Sequence, residues 1–480
     1  MAENLKEKTA KGLFWGLLNN GTMQVLNLVF GIFLGRLLSP EDYGIVGVLA
    51  IFTAIAGDLQ SAGFSQALIN IKSPTDRDYN SVFWFNVLVS IVLYAVLFLC
   101  APLIALFFHQ PVLTEVSRFV FLAFLISSLG IAHNAYLTKN LMVKEQTIAG
   151  ITALVCSGTV GIILAWQGHA YWALAWQQVV YISVLNIIRL RYSRWRPSMK
   201  IDFGPVRRMF PFAVNLLGTK VLTTLSQNIL TFIFGRMLPI HAVGNFSQAN
   251  KWNTMGHTLV SGTIAQVAQP VMAEIAEDDD REVRVFRKML RFTAFLSFPA
   301  MIGLALVARE FILLTVGKQW EGCVPLLQIL CIGGAFMPIY TLYQNLVISK
   351  GRSDIYLWCN ALQIILQIAL VVLFASRGII TMVTVYTLFN IAYLSVWHWQ
   401  SQRALRLSLL ALLKDILPFL LITTAVIGLT WLITGFITNI ILLFLSRIIV
   451  AALLYFIMMK ATRVVILEEC IRFLFKRSTK

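Results

Sequence analysis

Hydrophobic residues recur along the chain in runs of about 20 residues, the length that a helix needs to cross a bilayer core of roughly 30 Å. Short polar segments separate the runs. Reading each run as one helix predicts fourteen spans, near residues 13–36, 43–69, 81–108, 117–138, 148–167, 170–190, 210–236, 242–271, 292–316, 323–349, 355–376, 378–400, 416–434 and 437–460. The pattern predicts an all-α polytopic membrane protein.

Composition agrees, because 58% of the residues are hydrophobic and only 13% are charged. The net charge of +17 could suggest a nucleic-acid partner. Basic residues that bind nucleic acid cluster on one face, however, whereas these follow the loops between spans. The six cysteines form no CxxC pair or His/Cys spacing that would hold a metal. We therefore expect no nucleic-acid partner, no metal and no cofactor.

The distribution of lysine and arginine predicts the topology, since cytoplasmic loops carry an excess of these residues. With the amino terminus in the cytoplasm, the inside segments hold 30 lysines and arginines and the outside loops hold 5. This bias supports fourteen spans and predicts that both termini are cytoplasmic.

The chain also repeats part of its own sequence. At an offset of 200, four residues of the first half, Gly35, Arg36, Leu38 and Gly44, match Gly235, Arg236, Leu238 and Gly244. Six predicted spans separate the copies, so both halves should enter the membrane in the same direction. Such parallel repeats place a substrate site near the bilayer midplane. The predicted organisation is an amino-terminal lobe at 1–190, a basic cytoplasmic linker at 191–208, a second lobe at 209–402, and two last spans with a basic tail at 403–480.

A polar stripe follows the eighth span. At 100° per residue, seven residues fall within about 120° of one another on a helix: Ser247, Asn250, Lys251, Thr254, His257, Thr258 and Ser261. A lysine at mid-membrane costs about 2.5–3.5 kcal/mol, so it normally faces a bundle interior or a watery cavity. The stripe indicates a cavity that receives an anion, although small hydroxyl residues also join neighbouring helices.

Other buried polar residues lie on spans one, two and seven, which the repeat places beside the same cavity. A lysine suits phosphate oxygens, and amide or hydroxyl side chains can bind sugar hydroxyls. We therefore predict a phosphate-linked glycan as substrate. The candidate binding residues are Lys220, Lys251, Asn19, Asn20, Gln24, Asn250, Thr254 and His257.

Three further residues have two interpretations each. Asp58 is the only carboxylate deep in a predicted span, and it could couple transport to a proton or sodium ion, or serve in packing or in an ion pair with Lys220 or Lys251. Arg36 and Arg236 end spans one and seven, where they could form a gate or simply extend to the interface.

Three segments resemble the Wzx-type polysaccharide flippases: Gly35 to Gly47, Gly63 to Ile69 and Gly317 to Leu330. Gly351 to Asp354, which follows span ten, does so too. The likeness is to the colanic-acid exporter branch of the multidrug/oligosaccharidyl-lipid/polysaccharide superfamily, and it extends over nearly the whole chain. It implies two six-helix lobes around a central cavity lined by spans one, two, seven and eight. It also implies alternating access and an undecaprenyl-pyrophosphate-linked sugar unit as substrate.

The same resemblance implies a bacterial plasma (inner) membrane location and a role in surface polysaccharide biosynthesis. The partners would be the lipid-linked oligosaccharide, membrane lipids and polysaccharide polymerase machinery. An ion-coupled drug antiporter of the same fold is an alternative, for which more acidic residues are expected. A membrane polymerase or ligase would need large outside loops with catalytic groups, which are missing here. We therefore predict a transporter and not an enzyme.

Overall fold

A computed structural model describes residues 2–61, 63–274, 279–405, 408–462 and 466. Within these ranges the chain forms helices and no strands. Sixteen α-helices follow one another in the order α1 (Ala2–Leu37), α2 (Pro40–Ser61), α3 (Phe64–Asn70), α4 (Asp76–Phe108), α5 (Leu113–Lys139), α6 (Val143–Trp166), α7 (Trp172–Tyr192), α8 (Gly204–Met237), α9 (Ile240–Glu274), α10 (Asp279–Thr315), α11 (Cys323–Gly334), α12 (Met337–Ser349), α13 (Ser353–Leu373), α14 (Ile379–Leu405), α15 (Leu409–Thr434) and α16 (Ile440–Ala461).

Each of the fourteen predicted spans corresponds to one helix or to a pair of helices, which confirms the polytopic all-α fold. The prediction of one helix per span is wrong in two places. Span two is divided into α2 and α3, and span ten into α11 and α12. Glycine explains the first break, because Gly63 has a φ of 72°, in the left-handed region that other residues rarely adopt.

The second break lies after the Gly333-Gly334 pair, which precedes Pro338 by four residues. Gly334 ends α11, and α12 begins at Met337 with Pro338 in its first turn. A break leaves backbone carbonyls without helical partners, which is costly in the interior of a membrane protein. Here the Ser297 hydroxyl of α10 donates a 2.7 Å hydrogen bond to the carbonyl oxygen of Ala335.

Eleven candidate spans in the described chain are long and apolar enough to cross a membrane. The long helices α1, α8 and α9 are not among them. These three are spans one, seven and eight, where the sequence concentrates polar side chains. Their polarity therefore separates them from the other helices.

The chain divides into two compact units, Met1–Gly244 and Asn245–Lys480. In the first, α4 packs on α5, α5 on α7, and α6 on α7. In the second, the helices at the equivalent places of the repeat pair in the same way: α10 with α11, α11 with α14, and α13 with α14. The sequence repeat is thus accompanied by a repeated packing pattern.

The last two helices pack against other helices of the second unit. Both α15 and α16 lie against α10 and against each other. Each begins with a side-chain cap, in which Ser408 accepts from Ala411 N and Asn439 accepts from Ile441 N. In the first unit, α4 begins with a capping box formed by Thr75 and Asp78.

Candidate functional site

The α9 helix has two distinct faces. On one, Trp252 packs edge-on against Phe311 of α10 with ring centroids 5.2 Å apart. Gly256 lies on the same face, where a Cβ would come within 3.0 Å of the Met301 sulfur. Asn253 is buried beside Gly334 of α11. This face therefore attaches α9 to the second unit.

The polar stripe lies on the opposite face of α9, about 160° away at 100° per residue. Thr254 and Thr258 are exposed, whereas Asn250, Lys251 and His257 are half-buried. The Thr258 hydroxyl donates to the Thr254 carbonyl at 2.5 Å. The stripe is thus directed away from the hydrophobic packing of its unit.

Several polar atoms of the stripe have no partner among the described residues. They are the hydroxyl oxygens of Ser247 and Ser261 and the Nδ1 atom of His257, all of which are buried. The Lys251 ammonium forms no ion pair within the described part of its unit and lies 5.5 Å from the Trp252 ring centroid. Unpaired buried polar atoms are costly, so a bound polar ligand would stabilise this face.

The second lysine of the predicted site, Lys220, lies near the middle of α8, and its side chain is exposed. Among the described residues it has no hydrogen bond or ion pair, so the pairing of Lys220 with Asp58 that the sequence left open is not formed there. Asp58 instead accepts a 2.5 Å hydrogen bond from the Thr224 hydroxyl. Because Thr224 follows Lys220 by four residues, the free ammonium lies one helical turn from this contact.

The candidate amides of α1 point in different directions. Asn19 faces α6, where its Oδ1 atom would lie 3.7 Å from a Cβ added at Gly150. Asn20 is exposed and Gln24 is half-buried. Asn20 and Gln24 are therefore free to meet a ligand, whereas Asn19 lies at a helix contact.

The two arginines of the repeat are exposed at the ends of α1 and α8. The Arg236 guanidinium is 2.8 Å from Nδ1 of His109 and 5.3 Å from the Phe107 ring centroid. His109 has a φ of 56° and caps the end of α4. Nothing in the local sequence links His109 to a residue 127 positions later, so the sequence does not predict this contact.

The sequence also did not reveal a buried ion pair in the second unit. The Arg447 guanidinium of α16 lies 2.9 Å from the Glu310 carboxylate of α10, and Glu310 is only 2% exposed. The sequence analysis predicts that Asp58 is the only carboxylate deep in a span. Glu310 shows that this prediction is wrong. Arg447 could have indicated this ion pair, since a cation inside an apolar span requires a partner.

Two more ion pairs join helices of the second unit. Arg287 makes two hydrogen bonds to Asp415 of α15, at 2.6 and 3.0 Å, and Lys350 contacts the fully buried Glu282 at 2.8 Å. In the part of the chain that the structure describes, no three His, Cys, Asp or Glu side chains come together as metal ligands would. These charged groups pair with one another within the helix packing.

Comparison with known proteins identifies the family. Residues 33–325 match the model of a family described as polysaccharide biosynthesis protein. Teichuronic acid biosynthesis protein TuaB of Bacillus subtilis (strain 168) is 23% identical over 425 residues, covering 88% of each chain. Lipopolysaccharide biosynthesis protein WzxC of Escherichia coli (strain K12) is 26% identical over 377 residues, covering 77% of this chain and 76% of WzxC.

Solved structures show the fold. The lipid II flippase MurJ in an inward closed conformation superposes with a TM-score of 0.73 at 15% identity, covering 95% of this chain and all of MurJ. An inward-facing multidrug resistance MATE family transporter has a TM-score of 0.64, also at 15% identity, and covers 80% of this chain and 96% of its own. The matched family model covers more than half of the sequence. The chain belongs to the polysaccharide biosynthesis protein family, and it shares its fold with the flippase and the multidrug transporter.

Proposed function

We propose that this protein is a flippase that moves an undecaprenyl-pyrophosphate-linked oligosaccharide from the cytoplasmic to the outer leaflet of a bacterial inner membrane. The family and its relatives TuaB and WzxC, named for the biosynthesis of teichuronic acid and lipopolysaccharide, support a transporter of lipid-linked sugars rather than an enzyme. The proposed orientation has both termini in the cytoplasm, as the distribution of lysine and arginine predicts. A polymerase that uses the exported unit is the partner we expect.

The observation that carries this proposal is the position of Lys251. It lies on the polar face of α9, about 160° from the buried Asn253 at 100° per residue, and no carboxylate of the described part of its unit neutralises it. A structural cation in a membrane protein is normally paired, as Arg447 is with Glu310. An unpaired ammonium among unsatisfied hydroxyls suits an anionic ligand that brings hydrogen-bonding groups with it.

In the proposed mechanism, Lys251 and Lys220 attract the pyrophosphate, and the amides and hydroxyls of the predicted site bind the sugar. Asn250, Thr254 and His257 would contribute from α9, and Asn20 and Gln24 from α1. Alternating access then exposes the head group on the outer side. Moving each negative charge outward across an inside-negative membrane is favourable by about 2.3 kcal/mol per 100 mV.

The experiment is a flipping assay in proteoliposomes with a fluorescent or radiolabelled polyprenyl-pyrophosphate sugar. We expect Lys251→Gln to reduce the flipping rate at least tenfold, since a hydrogen bond to a charged group contributes about 1.5–3 kcal/mol. Lys220→Gln should also reduce it, and the double variant should abolish transport. Each variant should be expressed and folded normally, because neither ammonium has an ionic partner among the described residues of its own unit.

Lys318→Gln is the matched control, since this exposed lysine precedes α11 and lies outside the polar faces. It should transport at the rate of the parent protein. Full transport by the double variant would remove both lysines from the mechanism. An ion-coupled drug antiporter is the alternative, and export of cationic dyes without any movement of the lipid-linked sugar would favour it.

A further inference from the structure

An apolar groove of about 810 Å³ opens on the side of the first unit, between α2, α4 and α8. One face of α4 forms its length, with apolar residues at helical spacing from Phe85 through Val92 to Val96. At 1.5 Å per residue these residues extend for about 16 Å, and half of a typical hydrocarbon core is about 15 Å. The groove thus has the depth of one leaflet.

A single charged residue, Arg207, lines this groove. Its side chain is exposed and has no ion pair or hydrogen bond to the residues that the structure describes. The neighbouring arginines are compensated, because Arg77 pairs with Asp202 and Arg208 lies 3.7 Å from Asp78. Arg207 is therefore the uncompensated cation at the mouth of an apolar groove.

The mouth is held in place by the basic linker. The Asn80 side chain of α4 donates to the carbonyl of Lys200 and accepts from the backbone nitrogen of Ser198 at 2.9 Å. The Trp84 indole donates to the Ser198 carbonyl at 2.7 Å. These bonds fix the linker against α4, so the site is largely formed before a ligand arrives, which lowers the entropic cost of binding.

We propose that this groove binds one anionic glycerophospholipid of the cytoplasmic leaflet. Its phosphate would contact Arg207, and one acyl chain would lie along α4 from Phe85 to Val96. Basic pockets between helices on the cytoplasmic side are typical binding places for anionic lipid head groups. The single free guanidinium matches the one charge of a phosphodiester, and the depth matches a chain confined to one leaflet. A polyprenyl pyrophosphate has more charge and a longer chain than this groove accommodates.

The test measures lipid binding to the purified, delipidated full-length protein by native mass spectrometry. The protein is titrated with phosphatidylglycerol and, separately, with phosphatidylethanolamine of the same acyl chains. We expect the first phosphatidylglycerol to bind about fivefold more tightly, the equivalent of about 1 kcal/mol for one basic residue near the membrane surface. Arg207→Gln should remove this preference, and Arg207→Lys should largely keep it.

Two variants separate the groove from general charge. Val92→Trp should block the groove and weaken the first binding event for both lipids; Val92 is 63% exposed, so the larger ring leaves the core packing intact. Arg194→Gln removes an exposed arginine of the linker that does not line the groove, and it should bind like the parent.

Three outcomes would overturn the proposal: equal binding of the two lipids, equal weakening by Arg207→Gln and Arg194→Gln, or unchanged binding in Val92→Trp. Undecaprenyl phosphate provides the last arm. If it displaces the first bound phosphatidylglycerol from the parent, and Val92→Trp weakens its own binding, the groove belongs to a polyprenyl lipid; this fourth outcome would also overturn the phospholipid assignment. None of these results depends on flipping activity, so the transport proposal is tested separately.

Discussion

Gly44 and Gly244 occupy equivalent positions of the sequence repeat, and each packs against the backbone of the other copy of the repeat. A Cβ added at Gly44 would overlap the carbonyl oxygen of Ile240, and one added at Gly244 would overlap the carbonyl oxygen of Pro40. Because Pro40 and Ile240 are themselves equivalent, the contact has the form of a local two-fold symmetric interface. The backbone at the start of α2 packs directly on the backbone at the start of α9, which only glycine permits.

Gly44→Ala and Gly244→Ala should each destabilise the protein, by about 1–3 kcal/mol for forced overpacking against backbone atoms. Thermal unfolding of the purified protein in detergent measures this effect. The double variant should lose less than the sum of the single losses, because both changes disrupt one contact.

Gly57→Ala is the control for these variants. Gly57 also lies on α2, but a Cβ there has nothing within 4 Å. Alanine is favoured over glycine inside a helix, so this variant should be as stable as the parent or more stable. If Gly44→Ala unfolded at the same temperature as Gly57→Ala, the close contact would not constrain the fold.

Asp58 should couple transport to an ion gradient through its carboxylate and not through its bond to Thr224. Asp58→Asn retains an oxygen that can accept the Thr224 hydroxyl but removes the charge. We expect this variant to lose the response of the flipping rate to an imposed proton or sodium gradient in proteoliposomes. Thr224→Val removes the hydrogen bond alone and should keep that response. An Asp58→Asn protein that still responds to both gradients would leave Asp58 with a packing role.

The Glu310–Arg447 pair should stabilise the packing of α16 on α10. Glu310→Ala leaves a buried guanidinium uncompensated, a change that costs about 3–5 kcal/mol, and should lower the unfolding temperature strongly. Replacing both residues by methionine should recover most of the loss, because no charge then remains buried.

The exposed Arg352–Asp354 pair is the comparison for this ion pair, with side chains 58% and 60% exposed. Asp354→Ala should change the stability by less than about 1 kcal/mol, as is usual for surface ion pairs. Equal losses from Glu310→Ala and Asp354→Ala would mean that water or relaxation of the helices compensates Arg447.

The attachment of the basic linker to α4 should depend on pH through Asp202. A hydrogen bond from the Gly204 backbone, followed by the one from Arg77, lowers the pKa of Asp202 below its ordinary value of 3.8. A lowered pKa means that the carboxylate stabilises the folded linker above pH 3.8, and that this contribution is lost as the pH falls through the lowered pKa. The protection of linker amides against hydrogen exchange, relative to the intrinsic exchange rate at each pH, should therefore fall at low pH in the parent. Asp202→Asn should show the lower protection at every pH, and a parent whose protection does not depend on pH would contradict the prediction.

The amino-acid sequence by itself determined the all-helical membrane fold, because span length and apolar periodicity are local consequences of a 30 Å hydrocarbon core. It also determined which helix faces are polar, since 3.6 residues per turn place Lys251 about 160° from Asn253 without any tertiary information. The repeat can also be identified from the sequence alone, because residues such as Gly44 and Gly244 match at a constant offset.

Only the tertiary structure decided which polar groups pair. Periodicity places a residue on a face, but it cannot choose among partners that are more than 100 positions away. Asp58 accepts a hydrogen bond from Thr224 and does not pair with Lys220. Arg447 forms an ion pair with Glu310, and Arg236 contacts His109. The groove beside Arg207 likewise depends on how α4 and α8 pack. These features arise from distances between helices, which a pattern along one helix does not contain.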